Sequence, residues 1–161
     1  MQTKTRILPP EVLLEEYRTL LLENESIDAL PLVITGNSMS PFLIGGRDTV
    51  YLSRLTRPLR RGDAVLYRRK SGKYVFHRIY RVSKEGITML GDAQTIPEPG
   101  IQPDQIIAIM TSAERKGRRI SPGSFWWEFF DKIWIRIVPI RKTARTVYTS
   151  IQKILGKNTK R

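Results

Sequence analysis

Two side chains in this sequence have the types needed for nucleophilic catalysis without a cofactor. Ser38 lies in the segment 36–41, GNSMSP, directly after an apolar stretch, and His77 is the single histidine of the chain. A serine hydroxyl becomes a useful nucleophile when a neighbouring base accepts its proton, and histidine is the base most often used. The two residues therefore indicate acyl-transfer chemistry, provided that the fold brings them together.

The surroundings of Ser38 suit a second requirement of that chemistry, which is a set of donors for an oxyanion. Gly36 and Asn37 precede the serine and Met39 follows it, so we expect the hydroxyl on a tight turn with free backbone N–H groups beside it. The N–H of Ser38 and a second donor, from the backbone or from the Asn37 amide, would hold the negative oxygen of a tetrahedral intermediate. Each feature also has a structural explanation, because these residues build ordinary turns and a histidine within a strand is often simply packed.

Composition excludes several other kinds of site. The chain has no cysteine, which removes disulfides, a cysteine nucleophile and thiolate metal sites, and one histidine cannot form a histidine-rich metal centre. We therefore expect neither a metal ion nor a cofactor. With 161 residues, of which 40% are hydrophobic, the chain can bury a core of its own.

The pattern between residues 30 and 112 predicts the β domain that must position the two groups. Short apolar runs alternate there with turns rich in Gly, Pro and Asp, which is typical of an all-β barrel or sandwich with coiled sheets. The expected strands are 32–34, 49–52, 64–67, 74–82, 87–90 and 106–110. Outside the β domain we expect an N-terminal segment 1–29 with an amphipathic helix over 10–25, a basic connector 113–124, and a C-terminal segment 125–161 with amphipathic helices.

Charge and aromatic residues are concentrated towards the C-terminus. The chain carries a net charge of +13, and no acidic residue follows Asp131. Such a tail attracts an anionic partner, either nucleic acid or an acidic membrane surface. The aromatic stripe that begins at Trp126 has helical spacing, and it suits either packing on the β domain or peripheral contact with an anionic membrane through 125–161.

The hydropathy pattern bears on location. No segment is apolar enough for a transmembrane helix, and the N-terminus lacks the apolar run of a secretory signal. We therefore expect a cytoplasmic protein that contacts a membrane only peripherally, if it does so at all.

The order of several motifs is more specific than any one of them. The series is Ser38-Met39, Gly46-Arg47-Asp48, Arg61-Gly62-Asp63 before an apolar strand, His77-Arg78, and Gly91-Asp92. Over about residues 31–111 this series resembles the superfamily of serine peptidases that contains signal peptidase I and the SOS-repressor autopeptidases.

The resemblance implies a role for each matching residue. Ser38 would be the nucleophile and His77 the base, at a position where the common bacterial members have lysine and the endoplasmic-reticulum and archaeal members have histidine. Asp92 would assist the histidine, with Asp104 as the alternative. An extended peptide would add as a strand beside the segment that enters Ser38. By contrast, Asp63 is expected to be structural, and Arg78 to form a structural ion pair.

The sequence also departs from the superfamily pattern at three places. Ala93 and Gln94 follow Asp92 where the motif has two asparagines, Gly36 stands where many signal peptidases have a hydroxyl residue, and the first thirty residues predict an acidic helix rather than a membrane anchor or a DNA-binding domain.

The expected function is a serine endopeptidase that cleaves a leader, signal or precursor peptide with a Ser–His dyad, with or without Asp92. Two alternatives remain open. One is a basic β module that binds nucleic acid, although the sequence shows no established nucleic-acid motif. The other is an inactive relative that binds peptides without cutting them.

Overall fold

The structure, a computed structural model, describes residues 15, 16, 18–20, 23, 28–138, 140 and 141. Within these residues eight strands form one antiparallel sheet. The strands are β1 (Leu30–Val33), β2 (Thr49–Ser53), β3 (Ala64–Arg68), β4 (Tyr74–Ser83), β5 (Gly86–Leu90), β6 (Glu98–Ile101), β7 (Ile106–Arg115) and β8 (Arg118–Ile120). Their order is β1-β2-β7-β3-β4-β5-β6, and β8 pairs with β7 off this path.

The sheet is open, so the expectation of a mainly β protein is confirmed, and of the two expected forms, barrel or sandwich, the barrel is wrong. The strand order ends at β1 on one side and at β6 on the other. Both end strands contain a proline, Pro31 in β1 and Pro99 in β6. Proline has no N–H for a further ladder, so it suits a strand at the edge of a sheet.

Two short strands, β6 and β8, were not predicted from the sequence. β6 was not predicted because proline and glycine, here Pro99 and Gly100, are uncommon in strands, and β8 because two of its three residues are arginines. Since β7 continues to Arg115 and pairs with β8, residues 113–120 belong to the sheet and only the remainder of 113–124 is a connector.

The strand β3 lies at the centre of the core. Ala64 and Leu66 belong to one apolar cluster, and Val65 and Tyr67 belong to a second. Because successive side chains of a strand point to opposite faces, β3 is buried on both sides.

The C-terminal segment packs on the sheet through one face. The helix α1 (Phe125–Glu128) is followed by a π-helical turn, Phe129–Trp134. Trp127 and Phe130 belong to the same apolar cluster as Ala64 and Leu66, and the centre of the Phe130 ring lies 4.7 Å from that of Phe42. The sequence predicted either packing on the β domain or contact with a membrane for the aromatic stripe. Packing on the β domain is confirmed for the side of the helix that carries Trp127 and Phe130.

The remaining predicted helices are covered only in part. Residues 15, 16, 18–20 and 23 are helical, whereas the rest of the helix expected over 10–25, and a second helix expected after residue 141, lie outside the described residues. In the part of the chain that the structure describes, no helix combines the length and the apolar character needed to cross a bilayer.

Candidate active site

Ser38 lies on a turn that is anchored to the core on both sides. Ile34 accepts a hydrogen bond from the N–H of Gly46 at 2.9 Å, which closes the base of the loop 34–46. Met39, Phe42 and Leu43 are buried in the first core cluster. The turn is thus held by apolar residues that follow the serine, while Ser38 itself stays partly exposed.

Close backbone packing fixes the approach to the serine. Gly36 has a φ of +74°, a conformation that favours glycine. The Cα of Gly45 packs so closely on the backbone of Gly36 that a Cβ there would overlap it. Asn37 is exposed, and Gly36 and Met39 line the same groove as Ser38.

His77 and the main chain of Ser38 meet at Gly91. A Cβ placed on Gly91 would lie 2.5 Å from the carbonyl oxygen of Ser38 and 3.1 Å from both Cδ2 and Nε2 of His77. The same loop holds the serine directly, because the N–H of Ala93 donates to the Ser38 carbonyl at 2.8 Å. The two residues that the sequence analysis paired are therefore neighbours, separated by the space of about one carbon atom beside Gly91.

The other ring nitrogen of His77 has a partner that the sequence analysis did not name. Nδ1 lies 3.3 Å from the hydroxyl of Tyr67, which donates its own proton to Glu98 at 2.7 Å. The Glu98 carboxylate also accepts two hydrogen bonds from Arg69, each 2.6 Å long. We call the chain from His77 through Tyr67 and Glu98 to Arg69 the histidine relay.

Donor accounting in the histidine relay assigns the tautomer of the imidazole. A phenol has one proton, and Tyr67 gives it to Glu98, so the Tyr67 oxygen can only accept from His77. The proton of the neutral ring is therefore on Nδ1. This leaves the lone pair on Nε2, the atom that faces Gly91 and the serine turn.

Burial keeps His77 neutral. It lowers the pKa of the imidazole from 6.5 to about 4, with Glu98 opposing the shift and Arg69 adding to it. Arg69 and Tyr67 in turn hold the pKa of Glu98 below its usual range, while burial raises the pKa of the Tyr67 hydroxyl. At neutral pH the relay thus consists of a neutral imidazole, a neutral phenol, a carboxylate and a guanidinium.

The structure gives Asp92 a different role from the predicted one. Its carboxylate oxygens accept hydrogen bonds from Nε of Arg78 at 3.0 and 3.1 Å, and both side chains are buried. Arg78 follows His77 on β4, so the two side chains leave the strand on opposite faces, and within the described residues Asp92 makes no hydrogen bond with His77. The histidine partner is Tyr67, and Asp92 forms a buried structural ion pair, as expected for Arg78.

The other acidic residues singled out in the sequence are structural or distant. Asp104 is exposed in the 3₁₀ turn Pro103–Gln105 and has no hydrogen bond with His77 among the described residues. Asp63 is buried and accepts hydrogen bonds from Arg57 at 2.7 and 2.9 Å, which confirms its structural role. Asp48 pairs with its neighbour Arg47 in the same way.

A groove of about 540 Å³ runs past both Ser38 and His77. One wall is formed by residues 32–36, at the edge strand β1 and just beyond it, and the other includes residues 73–76 at the start of β4. β4 pairs with β5 only from Arg78 onward, so within the described part of the sheet its first residues have a free edge on that side. The groove therefore lies between the end of β1 and this edge of β4.

Donors for an oxyanion are present beside the serine. The turn uses the N–H groups of Ser40 and Leu43, which donate to Asn37 and Met39. Within the described residues the N–H groups of Ser38 and Met39 make no hydrogen bond, and the Ser38 hydroxyl makes none either, including with His77. The hydroxyl is thus free to rotate, and catalytic hydrogen bonds are often formed only when substrate is bound.

In comparisons with known proteins, no family model, curated protein or solved structure matched this chain.

A buried arginine from the C-terminal segment supports the loop behind the site. Arg141 donates from Nη1 to the carbonyl oxygens of Gly91 and Gln94, at 3.0 and 3.1 Å. Its Nε and Nη2 donate to the carbonyl oxygen of Trp134, and the Trp134 indole donates to the Asp92 carbonyl at 2.9 Å. The C-terminal segment thereby holds the loop that contacts both Ser38 and His77.

Sequence reasoning missed Tyr67, Glu98 and Arg141. The contact between Tyr67 and His77 could have been inferred from the sequence, since the two residues lie on consecutive strands predicted to form a hairpin. Glu98 lies on a strand that was not predicted. In the part of the chain that the structure describes, no group of three or more acidic or histidine side chains is placed to hold a metal ion.

Proposed function

We propose that this chain is a serine endopeptidase in which Ser38 is the nucleophile and His77 the general base. The observation that carries the proposal is the shared contact at Gly91, because Nε2 of His77 and the carbonyl oxygen of Ser38 both lie against the position that a Cβ of this glycine would occupy. The lone pair of His77 faces that point because Tyr67 occupies Nδ1. These positions support the predicted dyad.

The reaction would proceed in two halves. Nε2 of His77 takes the proton of the Ser38 hydroxyl while Oγ bonds to the carbonyl carbon of a peptide. The free N–H groups of Ser38 and Met39 are the donors nearest to the developing oxyanion. His77 then gives its proton to the departing amine, and water, activated by the same nitrogen, releases the acyl group from Ser38.

The histidine relay would stabilise the imidazolium that forms during each half. A base with a pKa of about 4 is neutral at pH 7 and can accept a proton, but its cation is costly in a buried position. Glu98 is the carboxylate that faces this cation, through Tyr67. The negative charge of Glu98 would therefore stabilise the imidazolium, which is the role that the sequence predicted for Asp92.

The substrate class that fits the groove is an extended peptide. Within the described residues the start of β4 has no strand partner on its β5 side, so it can offer backbone hydrogen bonds to an added strand. We infer that this peptide is a leader, signal or precursor peptide, that the β domain has the fold of the signal peptidase and SOS-repressor superfamily, and that the enzyme works in the cytoplasm.

The proposal is tested by incubating the full chain with libraries of precursor peptides and mapping any cut by mass spectrometry. Ser38→Ala and His77→Ala should each lower turnover by about 10³-fold or more. Ser40→Ala is the matched control, because Ser40 lies on the same turn and does not line the groove. Wild-type turnover in either dyad variant would refute the assignment.

The two alternative functions give different results in the same assay. A relative that only binds peptides would retain them without cutting. A nucleic-acid module would bind oligonucleotides with a steep dependence on salt that Ser38→Ala leaves unchanged.

A further inference from the structure

The C-terminal helix and the β7–β8 hairpin form one exposed surface. We call it the aromatic–basic face, and it consists of Phe125, Trp126, Phe129 and the hairpin residues 115–119. The two parts touch, since the guanidinium of Arg115 lies 5.2 Å from the centre of the Trp126 ring.

Phe125 and Trp126 remain exposed although the opposite side of the same helix is buried, and Phe129, beside them, is half-buried against the core. Phe125 is 72% exposed and Trp126 47%, whereas Trp127 is only 8% exposed. Phe129 stacks on Phe125 and contacts Trp126, so the three rings form a continuous cluster. Ile133, four residues beyond Phe129, adds an aliphatic side chain that is 51% exposed. A contiguous apolar surface of this kind usually marks a binding site.

The basic part carries charge that nearby acids leave largely uncompensated. Residues 115–119 contain four cationic side chains. Glu114 lies opposite Arg119 in the β7–β8 register, and Asp48, which accepts a hydrogen bond from the N–H of Lys116, is already paired with Arg47. The carboxylate of Glu128, on the helix, is already paired with Lys132 and accepts a hydrogen bond from the N–H of Gly123. The face thus presents apolar rings next to a positive hairpin.

We propose that the aromatic–basic face docks on an anionic lipid bilayer. Tryptophan and phenylalanine partition into the headgroup region, and each lysine or arginine close to the surface adds attraction to acidic lipids. A nucleic acid fits less well, because the exposed side chain of Ile133 has no ring to stack on a base, whereas a bilayer can bury an aliphatic side chain together with the rings.

Docking would bring the candidate active site close to the lipid surface. Nη2 of Arg115 donates to the carbonyl oxygen of Pro41 at 3.3 Å, and Pro41 ends the GNSMSP segment that carries Ser38. The face and the serine turn therefore lie side by side. Peptides that reside at a membrane would meet the groove directly.

The test is sedimentation of the full chain with vesicles of phosphatidylcholine alone and of phosphatidylcholine with about one third phosphatidylserine. We expect binding to the anionic vesicles that weakens as salt is added. Phe125→Ala with Trp126→Ala should weaken this binding by about tenfold or more. Lys116→Asn with Arg118→Gln should weaken it by about 30-fold at low salt, and asparagine suits the φ of +51° at position 116.

The matched control also removes two positive charges, but from a different hairpin of the sheet. Lys70→Gln with Lys73→Gln alters the β3–β4 hairpin, which lies at the opposite end of the sheet because β7 runs antiparallel to β3. Only a small loss of vesicle binding is expected from it. An equal loss in both charge variants, or no binding of the wild-type chain to anionic vesicles, would overturn the proposal.

Two further measurements distinguish membrane docking from nucleic-acid binding and from the proposed peptidase function. Binding of a single-stranded oligonucleotide that depends on the same four residues, without vesicle binding, would replace the bilayer by nucleic acid. Ser38→Ala should bind vesicles like the wild type, so failure of the peptidase proposal leaves this test intact. Circular dichroism of each variant confirms that it is folded.

Discussion

His77 and Tyr67 are diagonal neighbours on two paired antiparallel strands, with Nδ1 of the imidazole 3.3 Å from the phenol oxygen. Val65 lies opposite His77 in the register, and Tyr67 is two residues further along β3, so both side chains are on the same face of the sheet. The hydroxyl of Tyr67 donates a hydrogen bond to Glu98, which determines the ring nitrogen on which His77 carries its proton. Orientation of the base thus comes from a phenol and a carboxylate in series.

Replacing Tyr67 by phenylalanine removes this orientation while leaving most of the packing in place. We expect kcat/KM on any peptide that the wild type cleaves to fall by about 10- to 100-fold, because the imidazole can then adopt the unproductive tautomer. Imidazole ¹⁵N chemical shifts should show the proton on Nδ1 in the wild type and a mixture in the variant. Tyr80→Phe, on the same sheet but outside the groove, is the control. A wild-type spectrum in Tyr67→Phe would contradict the relay.

The titration of His77 can be followed without ambiguity because the chain has one histidine. Its Cε1 proton should titrate with a midpoint of about 4 rather than 6.5, owing to burial. Any peptidase activity should fall as the pH approaches this value, since a protonated imidazole cannot accept the serine proton. A midpoint at or above 6.5 would show that the ring is solvated.

The same pKa shift makes the stability of the fold depend on pH. Between about pH 4 and 6.5 the unfolded chain binds the histidine proton and the folded chain does not, so the free energy of unfolding rises with pH through this window. From about pH 4.5 to 7 the contribution of His77 is about 2 kcal/mol. Urea unfolding of the wild type and of His77→Gln isolates it, because the other titrating groups are common to both. Parallel stability curves for the two proteins would refute it.

Gly91→Ala tests the contact between Ser38 and His77. The added methyl group would overlap the Ser38 carbonyl and press on the imidazole at 3.1 Å, so the turn or the ring must move. We expect a loss of about 1–3 kcal/mol in the free energy of unfolding and a drop in kcat larger than the drop in stability explains. In Gly123→Ala the new methyl group meets no atom within 4 Å, and only the backbone at φ +91° is strained. That control should lose stability and keep kcat.

Arg141 is a positioning residue, because it acts on the groove through the carbonyl oxygens of Gly91 and Gln94. Arg141→Gln should lower kcat more than it raises KM, and it should reduce the free energy of unfolding by about 2–3 kcal/mol, because buried carbonyl groups lose charged donors. Arg136→Gln, an exposed change on the same segment, is the matched control. Equal effects of the two substitutions on kcat would remove Arg141 from the support of the site.

The larger part of the sheet was predictable from local pattern. All six expected strands are present, because runs such as 64–67 and 74–82 combine β-branched or aromatic residues with turn residues at both ends. The strands that escaped prediction, β6 and β8, are short and owe their pairing to a neighbouring strand rather than to their own composition. The closed barrel was wrong because strand pattern alone does not show which strands remain at an edge.

Some residues of the candidate site could likewise be predicted from the sequence, and others could not. Ser38 and His77 could be selected from their types and from the motif order, since no other histidine or any cysteine competes with them. Asp92 was selected on the same basis, but the sequence contains no information on which face of the sheet a carboxylate will meet. A buried arginine needs a partner, and Arg78 takes Asp92 because it points to the face opposite His77.

By itself, therefore, the amino-acid sequence determined the kinds of chemistry open to this protein, the turn that carries the serine, the strand that carries the histidine, and the apolar and cationic residues of its C-terminal half. Tertiary structure alone decided the partners: Tyr67 and Glu98 for the imidazole, Arg78 for Asp92, Arg141 for the loop at Gly91, and Arg115 for Trp126. The physical reason is that residue type and periodicity are local properties of a chain. Hydrogen bonds and ion pairs depend on strand register and on which side of the sheet distant segments pack.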